Sequence, residues 1–160
     1  MLLSICTYSR CRVAYPVKNR VSLAGSIIVT ITFIGVSITN NTSTWCYNVE
    51  VEGEPALSHW NLGLCPDPFP SIIAATRNGQ PVIYEPLSDG FTGIKFEEGV
   101  DQGDGIVEYC VTLEGIWAKE AVDIAVKGGP GDEIIRRNAI CGPGCNHVTP
   151  PRMRRGYQFA

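Results

Sequence analysis

Apolar residues in this chain recur with a period of two, in short runs cut by Gly, Pro, Asn and Asp, and no stripe of helical period is long enough to build a helix. Successive side chains of a strand point to opposite faces, so a period of two puts one row in a core and the next in water. Trp45, Tyr47, Val49 and Val51 share one face of a run whose other face holds Thr44, Asn48 and Glu50. Val107, Tyr109 and Val111 oppose Ile106, Cys110 and Thr112 in a second run, and Val122, Ile124 and Val126 line one side of a third. Further strands are expected at 56–64, at 81–84 after the Asn78-Gly79 turn, at 91–96 and, short, at 134–140, with 71–76 a strand or a helical turn. Strands at this spacing, with 17 Gly and 11 Pro to turn between them, predict an all-β fold: an antiparallel β-sandwich, Greek-key or jelly-roll-like. A chain of 160 residues has room for one such core. The expected division is a basic, apolar N-terminal segment at 1–28, the sandwich at 29–148 and a basic, mobile tail at 149–160.

Residues 21–39 are uncharged and follow a basic stretch, the outline of a secretory signal or signal-anchor. Against that outline, the run is rich in β-branched residues and no A-x-A cleavage site follows it. Residues 29–33 alternate, and the alternation resumes one position out of phase at 36–39 with Gly35 at the shift, as a β-bulge requires. Residue type and length favour strands for 29–39, hairpinned through Asn40-Asn-Thr-Ser43 onto 45–51. Export then rests on residues 1–26, and membrane contact on the N-terminal segment alone.

Charge is unevenly placed. Residues 1–49 carry four bases and no acid, residues 50–135 hold all 16 acids against four bases, and residues 136–160 add five arginines. An acidic body repels phosphates, so nucleic acid is excluded as a partner.

Five of the seven cysteines, Cys46, Cys65, Cys110, Cys141 and Cys145, lie in the strand-rich body. Scattered on strands and loops they read as disulfides, which implies an oxidising compartment and a secreted or cell-surface protein. Two intrachain bridges are expected, with Cys65 joined to the segment holding Cys141 and Cys145. The fifth cysteine is left over, to pair with Cys6 or Cys11 or to bond another chain. A sharper alternative is zinc on Cys141, Cys145 and His147 with Cys65 or His59 as the fourth ligand, although the C-x3-C spacing and the lack of a second pair argue against it. A thioredoxin-type redox pair lacks its motif and its βαβ setting.

Other chemistry is sparse. Ser58 and His59 are neighbours on a strand and so face opposite ways, and no G-x-S-x-G elbow occurs, which argues against a hydrolase. The acidic, Gly-rich loop at 97–105 offers Glu97, Glu98, Asp101 and Asp104 to calcium as the one weak cofactor candidate, without the EF-hand pattern. Trp45, Tyr47, Trp60, Phe69, Tyr84 and Trp117 would form a sugar-stacking platform if exposed, though their alternation with polar residues assigns them to a core. Asn40-Asn-Thr-Ser43 contains two overlapping N-glycosylation acceptors.

At Thr44-Trp-Cys-Tyr47, Ala56-Leu-Ser-His-Trp-Asn-Leu62, Thr92-Gly-Ile-Lys-Phe96, Tyr109-Cys-Val-Thr-Leu113, Val122-Asp-Ile-Ala-Val-Lys127 and Ile140-Cys-Gly-Pro-Gly-Cys145 the chain resembles uncharacterised extracellular modules of bacterial surface and secreted proteins. The likeness covers about residues 30–145. It implies a secreted β-sandwich without an established activity, and it carries over no functional residues. The expectation is therefore a structural or adhesive surface module rather than an enzyme, self-associating or binding other surface proteins. Assembly into fibres or layers would follow from strand addition by the N-terminal apolar strand. The alternative is a carbohydrate- or calcium-dependent binding module.

Overall fold

The computed structural model describes residues 16–23, 27–129 and 131–148; the basic tail and most of the N-terminal segment, with Cys6 and Cys11, lie outside the described residues. In chain order the strands are β1 (Lys18–Ser22), β2 (Ile28–Thr39), β3 (Thr42–Glu52), β4 (Leu57–Gly63), β5 (Ile72–Arg77), β6 (Gln80–Pro81), β7 (Tyr84–Leu87), β8 (Gly93–Phe96), β9 (Val107–Glu114), β10 (Trp117–Gly128) and β11 (Ile134–His147). A single turn of 3-10 helix, Gln102–Asp104, sits between β8 and β9. All pairings are antiparallel. One sheet runs β1-β2-β3-β9-β5-β6 and the other β11-β10-β4-β8-β7, packed face to face as the alternation predicts. The chain passes between the sheets five times, so β9 comes to lie between β3 and β5, and β4 between β10 and β8.

Parity decides what the sheets bury. Tyr47 of β3 and Tyr109 of β9 face inward from the first sheet, Trp60 of β4 and Phe96 of β8 from the second, all without exposed surface. Trp60 lies at the centre: 4.8 Å from Phe96 in a stacked arrangement, and edge-on to Tyr47 and Tyr109 at 5.7 and 5.6 Å between ring centroids. Val49, Val107, Val111, Leu62, Ile94, Ile124 and Val126 fill the space around these rings. The phase slip expected at Gly35 is present: Phe33 lies opposite Tyr47 and Gly35 opposite Cys46, a bulge that keeps Phe33 and Val36 on the core side of β2.

Three elements differ from the sequence reading. The last strand does not end at Ile140 but continues through Gly142-Pro143-Gly144 to His147, because Ala121 and Glu120 of β10 pair on across Cys141 and Gly142. Close packing keeps Gly142 small: a Cβ there would lie 2.5 Å from the Val122 side chain. Residues 18–22, within the stretch assigned to the N-terminal segment, form an edge strand paired to β2 in full register. Residues 81–84 split into the end of β6 and the start of β7, since Val82 and Ile83 cross from one sheet to the other, bonded to Ala75 on one side and Glu97 on the other.

Among the described residues two disulfides form, Cys46–Cys110 and Cys65–Cys145, the second being the bridge expected for Cys65. Cys46 and Cys110 are directly opposite on β3 and β9 with Cα atoms 4.2 Å apart, within the close spacing of non-hydrogen-bonded antiparallel pairs. Cys65, just past β4, reaches over the end of β10 to β11. Each bridge therefore staples strands within one sheet, and neither joins the two sheets. Cys141 belongs to neither of these bridges and is buried, 3% exposed.

The bridges close segments of 64 and 80 residues. Replacing either pair by alanine is expected to lower the unfolding free energy by up to about 4 kcal/mol in urea titrations, the loop-entropy value for such spans. Equal stability in a double-alanine variant would deny that bridge a stabilising role. A second expectation concerns alkali. Burial, and after it the neighbouring Cys141, pushes the Tyr47 phenol well above its usual range; burial raises Tyr109 as well, with Arg77 pulling it back. Above about pH 10 the unfolded chain then loses phenolic protons that the folded chain keeps, so stability is intact below that pH and falls as pH rises. Tyr47→Phe should make this alkaline decline shallower; an unchanged slope would contradict the assignment.

Candidate functional site

On the outer face of the second sheet a row of side chains runs in register across all five strands: Ile135, Ala125, Asn61, Lys95 and Glu85 stand successively opposite one another. Trp60 and Leu62 take the core side of β4, so His59 and Asn61 fall on this outer face, and Lys127 stands opposite His59. Residues of the loops at 87–91 and 131–133 wall the row in and leave a cleft of about 580 Å³. Within it Glu133 Oε2 accepts from Asn61 Nδ2 at 3.3 Å and lies 3.1 Å from His59 Nε2. Asn61 is only 2% exposed, and its Oδ1 is buried without a hydrogen-bond partner. Lys95 Nζ is held between Glu97 at 3.4 Å and Glu85 at 4.0 Å. The cleft thus presents fixed donors and acceptors of both signs. The Ser58 hydroxyl does not join the histidine there, because it turns away to donate to the Lys127 carbonyl at 2.9 Å.

The loop at 97–105 is organised by Arg77, a residue the sequence reading did not single out. Arg77 donates to the Gly99 carbonyl at 3.0 Å and to Asp104 at 3.4 Å, and lies 3.6 Å from Glu98. The Tyr109 hydroxyl accepts from Arg77 Nε and donates to the Glu98 carbonyl. Asp101 caps the 3-10 turn through the N–H groups of Gly103 and Asp104, and Asp104 returns a bond to the Asp101 N–H at 2.9 Å. Glu97 turns to Lys95. The four carboxylates considered for calcium therefore do not converge; two of them serve a guanidinium already in place and one an internal cap. Among the described residues, the one group of three metal-ligand atoms within 4.8 Å is Cys46, Glu108 and Cys110, and its two sulfurs are spent in a disulfide.

The zinc reading of Cys141, Cys145 and His147 is likewise undone. Cys145 is bonded to Cys65, Cys141 lies in the core beside Tyr47, whose hydroxyl donates to its carbonyl, and the His147 ring packs on Trp117 at 3.9 Å. The chain here is a strand, which spreads its side chains instead of folding them round an ion. The sugar-stacking platform fails for Trp45, Tyr47, Trp60 and Trp117, which are buried; Phe69 and Tyr84 remain partly exposed at separate places.

A different surface lies at the edge of the first sheet. β1 pairs with β2 only along residues 28–32, and Val17 accepts from the Phe33 N–H. From residue 34 to 39 β2 is bonded to β3 on one side, and among the described residues no strand covers the other. Ile34 and Ile38 are 43% and 54% exposed there. Asn40 and Asn41, the possible glycan acceptors, are exposed at the tip of the same hairpin. Among the described residues no helix is long and apolar enough to cross a membrane.

Comparison of the chain with protein-family models, with curated proteins and with solved structures finds no match. Of the cleft residues, His59 stood out in the sequence and Asn61 did not, although the alternation of β4 is a signal that could have put both on one outward face; Glu133, Lys95 and Lys127 come from distant segments and carry no local sign. Arg77 is expected to act as the loop's internal cation. Arg77→Ala should cost about 1–2 kcal/mol, through lost charged hydrogen bonds, and speed amide exchange at residues 99–105, with no recovery on adding calcium. Restoration of the wild-type exchange pattern by calcium would show that the loop is a metal site after all.

Proposed function

We propose that this chain is a secreted or cell-surface structural and adhesive module that assembles by strand addition with further copies of itself. The observation that carries this reading is the second half of β2, whose outer side no strand covers among the described residues. Sheet edges are normally blunted by charge or proline, because a row of unpaired N–H and C=O groups recruits another chain. Three other edges follow that rule: β7 bears Glu85 and Pro86, β6 bears Pro81, and the first half of β11 bears Arg136 and Arg137. Residues 34–39 carry neither charge nor proline and expose two isoleucines. The strand expected to be donated to a neighbour is used in its own sheet, so its role becomes that of the edge that receives one.

Two copies joined β2 to β2 would make a closed two-fold dimer. β2 joined to the edge of β5, where Ile73 is exposed, would extend without closing. The two disulfides support an oxidising, external setting. Light scattering on a dilution series of the purified chain is expected to show concentration-dependent dimers or chains, and Ile34→Lys with Ile38→Lys to leave monomer only. A strict monomer from the unaltered chain at every concentration overturns the proposal.

A further inference from the structure

We infer that the cleft around Asn61 and Glu133 is a binding site for a neutral polyhydroxylated ligand, a saccharide. Its chemistry selects that class. The walls carry the carboxylates Asp89, Asp132 and Glu133 beside the ammonium groups of Lys127 and of Lys95, the latter already shared with Glu85 and Glu97; this mixed lining with acids in excess does not suit a phosphate. A hydroxyl group both donates and accepts, so a ligand bearing several of them can satisfy carboxylate, amide and ammonium partners in one plane. Phe91 and Ile135 add apolar lining for the C–H faces of a ring, and the volume lies within the range of small-molecule sites.

The floor is preorganised. One oxygen of Glu133 is shared by Asn61 Nδ2 and His59 Nε2, which fixes the amide and leaves the second carboxylate oxygen to a ligand. What remains unexplained without a ligand is Asn61 Oδ1. A buried acceptor with no partner costs on the order of 1–3 kcal/mol, and such groups concentrate at functional sites. A ligand hydroxyl reaching in beside Glu133, whose side chain is 33% exposed, removes that cost. This site is on the opposite sheet from the β2 edge and uses none of its residues, so it stands or falls apart from self-assembly.

The test is an array of neutral and anionic glycans probed with the full chain in the presence of a chelator, followed by calorimetry on the best neutral oligosaccharide retained. Binding should persist in chelator, weaken at least about tenfold in Glu133→Gln and in Lys127→Ala, and stay unchanged in Glu50→Gln on the other sheet. Asn61→Leu should abolish it; near-ultraviolet circular dichroism shows whether that variant keeps its fold, and the two rim variants decide the matter if it does not. Retention of anionic glycans alone, no retention at all, or equal affinity in Glu133→Gln and Lys127→Ala would each overturn the inference. The edge variant with Ile34→Lys and Ile38→Lys should bind as the unaltered chain does.

Discussion

Everything in this molecule hangs on the contact of four aromatic rings between the sheets. Tyr47 and Tyr109 come from one layer, Trp60 and Phe96 from the other, and Trp60 touches all three. The disulfides cannot take this role, since each lies within a layer. Edge-to-face and stacked ring pairs contribute about 0.5–1.5 kcal/mol apiece beyond the burial of their area, so the cluster both drives the layers together and fixes how they sit. Its polar atoms are placed with care at two of three positions. Tyr47 donates to the Cys141 carbonyl and Tyr109 to the Glu98 carbonyl, which ties β11 and the 97–105 loop to the cluster. The indole N–H of Trp60 has no partner, and we have no physical account of it.

Most of this was written in the alternation of the sequence. Trp45, Tyr47, Val49 and Val51 could be assigned inward because Thr44, Asn48 and Glu50 alternate with them. Gly35 could be read as a bulge because the phase changes there. What escaped was information carried by pairing partners. The Gly142-Pro143-Gly144 stretch looks like a loop in isolation; it is held extended because β10 continues beside it. Two or three residues between runs do not reveal whether the chain turns or crosses to the other layer, so 81–84 was read as one strand. The carboxylates at 97–105 suggested a metal because Arg77, some twenty residues earlier, is invisible to a local reading.

The surfaces that bear on function follow from the same geometry. Among the described residues β1 and Val17 cover β2 only as far as residue 33, which leaves the apolar half-edge. The row from Ile135 to Glu85 exists because five strands are in register, and its burial under two loops is what turns a flat sheet face into a cleft. Neither surface requires the core to move. The apolar edge lies on one sheet and the polar cleft on the other, so the proposed assembly and the proposed ligand site draw on separate parts of one scaffold.

The central claim is that the two layers are coupled through the rings, a role that neither the Cys46–Cys110 nor the Cys65–Cys145 bridge fills. A double-mutant cycle on Trp60→Leu and Tyr109→Leu, with unfolding free energies measured in urea on the disulfide-intact chain, tests it across the interface. The account predicts a coupling of about 1 kcal/mol between these two positions. Additivity to within about 0.3 kcal/mol, the behaviour of sites that do not interact, would contradict it.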